Sequence, residues 1–117
     1  MFQNPFSFEG RIRRTEYGIT HLFHSLLMFF LSIIDEFIDI ENVFNLIFVI
    51  IVFLLLIWLR MAQGVKRCHD LGNSGWFQFI PFYVFLMYFA DSQYGDNKYG
   101  LNPKGLGNHK YEYLPEN

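Results

Sequence analysis

Three consecutive polar residues, Cys68, His69 and Asp70, are of the types that supply a nucleophile, a base and an orienting carboxylate in some enzymes. Neighbouring residues on an α-helix point about 100° apart, so these three cannot form a linear hydrogen-bonded relay with one another. A catalytic role would require groups from elsewhere in the fold. We therefore expect no enzymatic activity, and a membrane enzyme using His69 and Asp70 is kept as an alternative hypothesis.

Two histidines, His21 and His24, lie three residues apart in an apolar stretch. At this spacing both imidazoles fall on one helix face, as a metal site or a proton relay requires. The other interpretation is that both are neutral and hydrogen-bonded to hydroxyl or backbone groups near the lipid headgroups. They are the candidate metal ligands, and a small transport or channel subunit with a histidine-lined path is the corresponding hypothesis. We predict no bound metal and no cofactor.

Charged and aromatic residues flank the apolar stretches and form a candidate interaction cluster. Its members are Arg11, Arg14, Glu16, Arg60, Arg67, His69, Asp70 and Trp76. Charges close to lipid are costly unless they are paired or hydrated, so the acids can pair with arginines and lock two helices together. Arginine left over after pairing could instead bind an anionic lipid or a partner membrane protein.

The elements that must position these residues are long apolar runs. The 117-residue chain is 52% hydrophobic and contains 15 Phe, which a soluble domain of this size cannot bury. No charged residue occurs in 17–34 or 42–59, and runs of roughly 18 such residues can cross a bilayer as helices. The sequence predicts an all-α fold, a small polytopic membrane helix bundle. We place its first two helices at about 15–34 and 42–70.

The third apolar segment, 76–90, is shorter and contains Pro81. Its 15 residues would extend about 22 Å as a helix, against a hydrocarbon core of about 30 Å. We expect a short helix, kinked at the proline, that forms a third span. A re-entrant or interfacial segment is the alternative. Residues 1–103 are predicted to form one membrane domain, followed by a flexible polar tail, 104–117.

Basic residues lie before the first helix and after the second, whereas the connector 35–42 has four acids and no Lys or Arg. The positive-inside rule therefore places the N-terminus in the cytoplasm. At the end of the second helix, Gly72 is expected to stop the helix in a left-handed conformation, and Asn73 or Ser74 to cap the next one. The basic residues are too few to indicate nucleic-acid binding.

Three stretches together carry a family resemblance: FSFEGRIRRTEYG at 6–18, KRCHDLGNSGWF at 66–77 and GDNKYGLNP at 95–103. In order and spacing, the chain resembles the bacterial family catalogued as domain of unknown function 805. The resemblance implies a multi-pass protein of the inner membrane and supplies no catalytic residues. The third stretch adds a tail motif to the candidate sites: Asn97, Tyr99, Gly100, Asn102 and Pro103.

The leading hypothesis is a non-enzymatic inner-membrane protein. It would bind a partner protein or lipid through its cytoplasmic Arg, Asp and aromatic surface. Its partners would be the lipid bilayer, an anionic lipid or another membrane protein, with a homo-oligomer as a further candidate and no nucleic acid.

Overall fold

A computed structural model describes residues 4–108 of the chain. Two long helices dominate it: α1, Arg14–Ile34, and α2, Val43–Asp70. A 3-10 turn, Asp35–Phe37, follows α1, and Asn42 caps α2 by accepting a hydrogen bond from the Phe44 amide at 3.0 Å. The fold is all-helical, as predicted, and the observed ends of α1 and α2 lie within one residue of those predicted.

The apolar side chains of α1 and α2 face outward. Both helices are long and apolar enough to cross a membrane, and only 11% and 6% of their most hydrophobic stretches are buried within the protein. Phe44 is 78% exposed and Phe29 is 60% exposed. Surfaces of this kind are stable in lipid and not in water, so the protein is an integral membrane protein.

The end of α2 has the hydrogen bonds of a glycine-terminated helix. Gly72 has a φ of +85°, its amide donates to the His69 carbonyl, and the Asn73 amide donates to the Cys68 carbonyl. These two bonds define a Schellman motif and confirm Gly72 as the left-handed stop. Ser74 then caps the next element, accepting from the Trp76 amide at 3.5 Å.

The third apolar segment is divided into two short helices. A 3-10 helix, Gly75–Phe79, packs against α2, and α3, Tyr83–Phe89, packs against α1. Pro81 and a left-handed Phe82 (φ +66°) separate them. A proline cannot donate the backbone hydrogen bond that a continuous helix needs here, so the helix is interrupted, and the chain reverses through the left-handed Phe82.

Both ends of this hairpin lie at the same end of the bundle. The Gln93 amide, beyond α3, donates to the carbonyl of Asp70, the last residue of α2, at 3.0 Å. The segment 76–90 thus returns to the end of the bundle from which it starts, which favours the alternative of a re-entrant or interfacial segment over a third span. The hairpin is too short to cross, and the polar residues that follow it find their hydrogen-bond partners where α2 ends.

Most tight packing occurs at this end, which we call the polar end. Ile12, Tyr17, Cys68, Tyr83 and Met87 form its buried apolar core. Residues 91–108 fold over it as a polar cap. Residues 104–108 of the predicted flexible tail belong to this cap, where Asn108 is buried and hydrogen-bonded to Asn102. The rest of that tail, 109–117, lies outside the described residues, and its flexibility stays a prediction.

Candidate functional site

Asp70 is the centre of the charged cluster. One carboxylate oxygen accepts from Arg11 Nε at 3.1 Å, and the other accepts from Arg67 and from Ser92 Oγ, the latter at 2.6 Å. All three charged side chains are almost fully buried. A buried carboxylate with two guanidinium partners is compensated, whereas each charge alone would be strongly unfavourable.

The arginines use their remaining donors on backbone carbonyls. Arg67 donates through Nε to the Met87 carbonyl at 2.7 Å and also bonds the Ala90 carbonyl, which fixes the end of α3. Arg11 donates to the Gln93 and Gly95 carbonyls, both at 2.7 Å. Because these contacts join the start of α1, the end of α2, α3 and the polar cap, we call Arg11, Arg67 and Asp70 the clamp.

His69 lies beside the clamp and links the first and third sequence motifs. Its Nδ1 is 3.0 Å from the Gly10 carbonyl, so this nitrogen must carry the proton and donate. The ring stacks on Tyr99 with 3.9 Å between centroids and 2° between planes. Asn97 Nδ2 donates to the His69 carbonyl at 2.9 Å. The ring and the backbone of His69 are therefore both held by contacts within the fold.

The tail motif forms turns that hold the polar cap together. Asn102 is buried, donates to the Gln93 carbonyl at 3.0 Å and accepts from the Lys104 amide at 2.7 Å. Asn97 and Gly100 exchange backbone hydrogen bonds of 2.9 and 3.0 Å, and Pro103 is exposed on the cap surface.

An exposed ion pair lies at the margin of the cap. The Lys104 ammonium donates a 2.5 Å hydrogen bond to Asp91. This bond is the main reason that the pKa of Asp91 lies below its ordinary value, and the Ser92 amide adds to the effect. Solvent and salt weaken such an exposed contact.

Other residues of the predicted cluster lie apart from the clamp. Arg14 donates to the Phe89 carbonyl at 2.9 Å, and Glu16 is buried on the first turn of α1. Trp76 is 79% exposed. Arg60 lies ten residues before Asp70 on α2, about 15 Å along the helix axis. The structure thus divides the predicted cluster into a buried clamp and separate peripheral residues.

Arg60 instead lines a lateral cavity of about 590 Å³ between α1, α2 and the hairpin. His21 and His24 line the same cavity, and His21 Nδ1 is hydrogen-bonded to the Tyr88 hydroxyl. Within residues 4–108, no group of three or more His, Cys, Asp or Glu side chains is arranged to hold a metal ion.

The three consecutive residues Cys68, His69 and Asp70 all make contacts within the fold. Cys68 is fully buried, the Asp70 carboxylate has three donors, and His69 is bonded to Gly10 and stacked on Tyr99. These contacts position chain segments, and Arg60 and the exposed cap residues remain among the groups that a ligand could reach.

Sequence reasoning missed several partners of the clamp. Ser92, Gln93 and Gly95 supply a hydroxyl and two carbonyls to it. Two of these contacts use backbone carbonyls, which any residue type can supply, so the side chains gave no indication of them. Gly95 is the first residue of the GDNKYGLNP stretch, but its contact is also made by the backbone. The sequence predicted that Asp70 pairs with arginine, as it does with Arg11, but it did not predict the Arg11 contacts with the cap carbonyls.

Comparison with known proteins gives one family. The model of the family described as Protein of unknown function (DUF805) matches residues 5–101. Inner membrane protein YhaI of Escherichia coli strain K12 is 30% identical over 112 residues, covering 89% of this chain and 92% of the relative. YhaI of strain O157:H7 matches with the same identity and coverage. No solved structure matches the chain.

Proposed function

The chain belongs to the DUF805 family and is similar to a bacterial inner-membrane protein, and on that premise we propose a non-enzymatic binding function. The protein binds a partner protein through the polar cap, which the clamp holds against the helix ends. Arg11, Arg67 and Asp70 support this surface from inside, and exposed cap residues make the contact.

The observation that carries the proposal is an exposed apolar patch on the cap. Tyr94 is 73% exposed and Leu106 is 52% exposed. The Gly95 amide donates to the Leu106 carbonyl at 3.0 Å, so the two side chains belong to one part of the surface. Contiguous exposed apolar groups on an otherwise polar surface are typical of protein or membrane interaction sites, and we take this patch as a protein contact.

We further propose that the polar end faces the cytoplasm. It carries the basic residues that surround the clamp, whereas the opposite end carries the acidic connector 35–41. Since the cap is bonded to the end of α2, the N-terminal segment and the cap share one side. A C-terminal reporter that matures only in the cytoplasm should be active, and one active only outside should be silent. The reverse pair of results would contradict this orientation.

Site-specific photo-crosslinking in living cells tests the partner surface. A photoreactive residue at Tyr94 or Leu106 should give a common protein adduct, which is absent when the residue is placed at Ile40 in the acidic connector. Ile40 is 54% exposed and provides a matched apolar control. A dimer-sized adduct would identify the partner as a second copy of the chain. Lipid adducts alone, or the same protein adduct from Ile40, would refute the proposal.

A further inference from the structure

The lateral cavity changes in polarity along its length. Near the polar end it is lined by His21, His24 and Gln78, together with Arg60, and deeper in the bundle by Met28 and Phe53. Met28 and Phe53 also line a second cavity of about 210 Å³ between α1 and α2, which extends toward Asp35. The two cavities therefore form a groove with a polar end and an apolar continuation.

Arg60 is the charged group at the polar end of this groove. Its side chain is exposed, and no hydrogen bond or ion pair joins it to another residue in 4–108. Arg11, Arg14 and Arg67, by contrast, all donate to carbonyl or carboxylate oxygens. Arg60 directly follows the uncharged run of α2, which places it where hydrocarbon gives way to headgroups.

An anionic partner would stabilise a guanidinium at this depth, because a charge next to lipid that is neither paired nor hydrated is unfavourable. Phosphate matches the planar guanidinium donors, which can bind it through two parallel hydrogen bonds. His24 and Gln78 line the same part of the cavity and offer further polar contacts. No Asp or Glu lines this part of the groove in the described chain, so no carboxylate there would pair with the ammonium of a zwitterionic headgroup.

We propose that this groove binds one anionic glycerophospholipid, with its phosphate at Arg60 and an acyl chain between α1 and α2 past Met28 and Phe53. This site is separate from the polar cap, so it goes beyond the proposed partner surface. The lipid site and the partner surface can each be refuted without refuting the other.

Native mass spectrometry of the full chain in mild detergent tests the site. The wild-type protein should retain added phosphatidylglycerol in preference to phosphatidylcholine. Arg60→Gln should weaken phosphatidylglycerol binding by about tenfold, which is the effect of losing one charge-assisted contact. Arg60→Lys should lose less, because it keeps the charge and loses the bidentate geometry.

Two further variants separate a lipid site from general charge attraction. Arg13→Gln removes the same charge at the polar end but outside the groove, and should leave the preference unchanged. Met28→Trp should fill the apolar part and weaken phospholipid binding, without affecting any binding of soluble glycerol phosphate. Equal binding of both lipids, or an Arg13→Gln effect as large as that of Arg60→Gln, would overturn the proposal. An unchanged phosphatidylglycerol affinity in Met28→Trp would also overturn it, because the acyl chain would then not lie in the groove.

Discussion

Substitution of Asp70 by Asn is the most informative perturbation of the clamp. It removes one negative charge while keeping the shape of the side chain. Asp70 is fully buried and accepts from two guanidinium groups and the Ser92 hydroxyl. Two buried cations are then left uncompensated, a situation that typically destabilises a protein by about 3–5 kcal/mol. We expect a loss of that size in the free energy of unfolding.

Unfolding can be followed by titrating the protein in mild detergent with a denaturing detergent. Trp58 is a suitable fluorescence reporter because its indole N–H donates to the Phe6 carbonyl at 3.0 Å and its ring lies 4.7 Å from that of Phe8. A Trp76→Phe background leaves Trp58 as the sole tryptophan of the chain.

Glu36→Gln is the matched control, because it neutralises an exposed acid at the opposite end and should change stability by less than about 0.5 kcal/mol. The double variant Asp70→Asn with Arg11→Gln should lose at least about 1 kcal/mol less than the sum of the single variants. An Asp70→Asn loss below about 1 kcal/mol, or strict additivity, would show that the clamp does not hold the helix ends together.

Two further predictions concern the end of α2 and the cap. Gly72→Ala should destabilise the protein by about 1–2 kcal/mol, because φ is +85° and the added Cβ would lie 2.5 Å from Gln93 Oε1. In Gly18→Ala the added Cβ would meet no atom within 4 Å beyond its own stretch of helix, so this variant should be neutral or stabilising in the same unfolding assay. An equal loss of stability in Gly72→Ala and Gly18→Ala would contradict the left-handed constraint. The Asp91–Lys104 pair should contribute to cap stability above the ordinary Asp pKa of 3.8, and this contribution should be lost as pH falls through the lower folded-state pKa. Amide hydrogen exchange of the cap at pH 6 and pH 3 measures this contribution. Lys104→Met should reduce the difference in protection between the two pH values, and an unchanged difference in that variant would assign the pH dependence to other groups.

Local and compositional signals predicted the helical framework. The apolar side chains of α1 and α2 are stable in lipid, and their backbone polar groups must be hydrogen-bonded within each helix. The length and composition of the uncharged runs were therefore sufficient to place the two helices. Gly72 and Ser74 were recognised because helix termini have short-range rules that act within a few residues. The family resemblance followed in the same way from three short motifs, each of which is continuous in the sequence.

The path of the third segment could not be obtained from its own residues. Its length was marginal for a span, and Pro81 was compatible with either a kink or a reversal. The reversal depends on hydrogen bonds between residues more than 20 positions apart, such as that from the Gln93 amide to the Asp70 carbonyl. Long-range partners of this kind have no local sequence signal.

The sequence by itself determined that this is a membrane helix bundle, because the number of apolar side chains in each run fixes how strongly the hydrophobic effect drives that run into lipid. It also predicted that Asp70 would pair with arginine near a helix end, because a carboxylate there requires a cation. Only the tertiary structure decided which arginines pair with it, that the polar cap returns to the same end, and that Arg60 lies apart in a lateral groove. Those outcomes depend on how distant segments pack, and a buried charge is compensated by whichever donors that packing brings within hydrogen-bond distance.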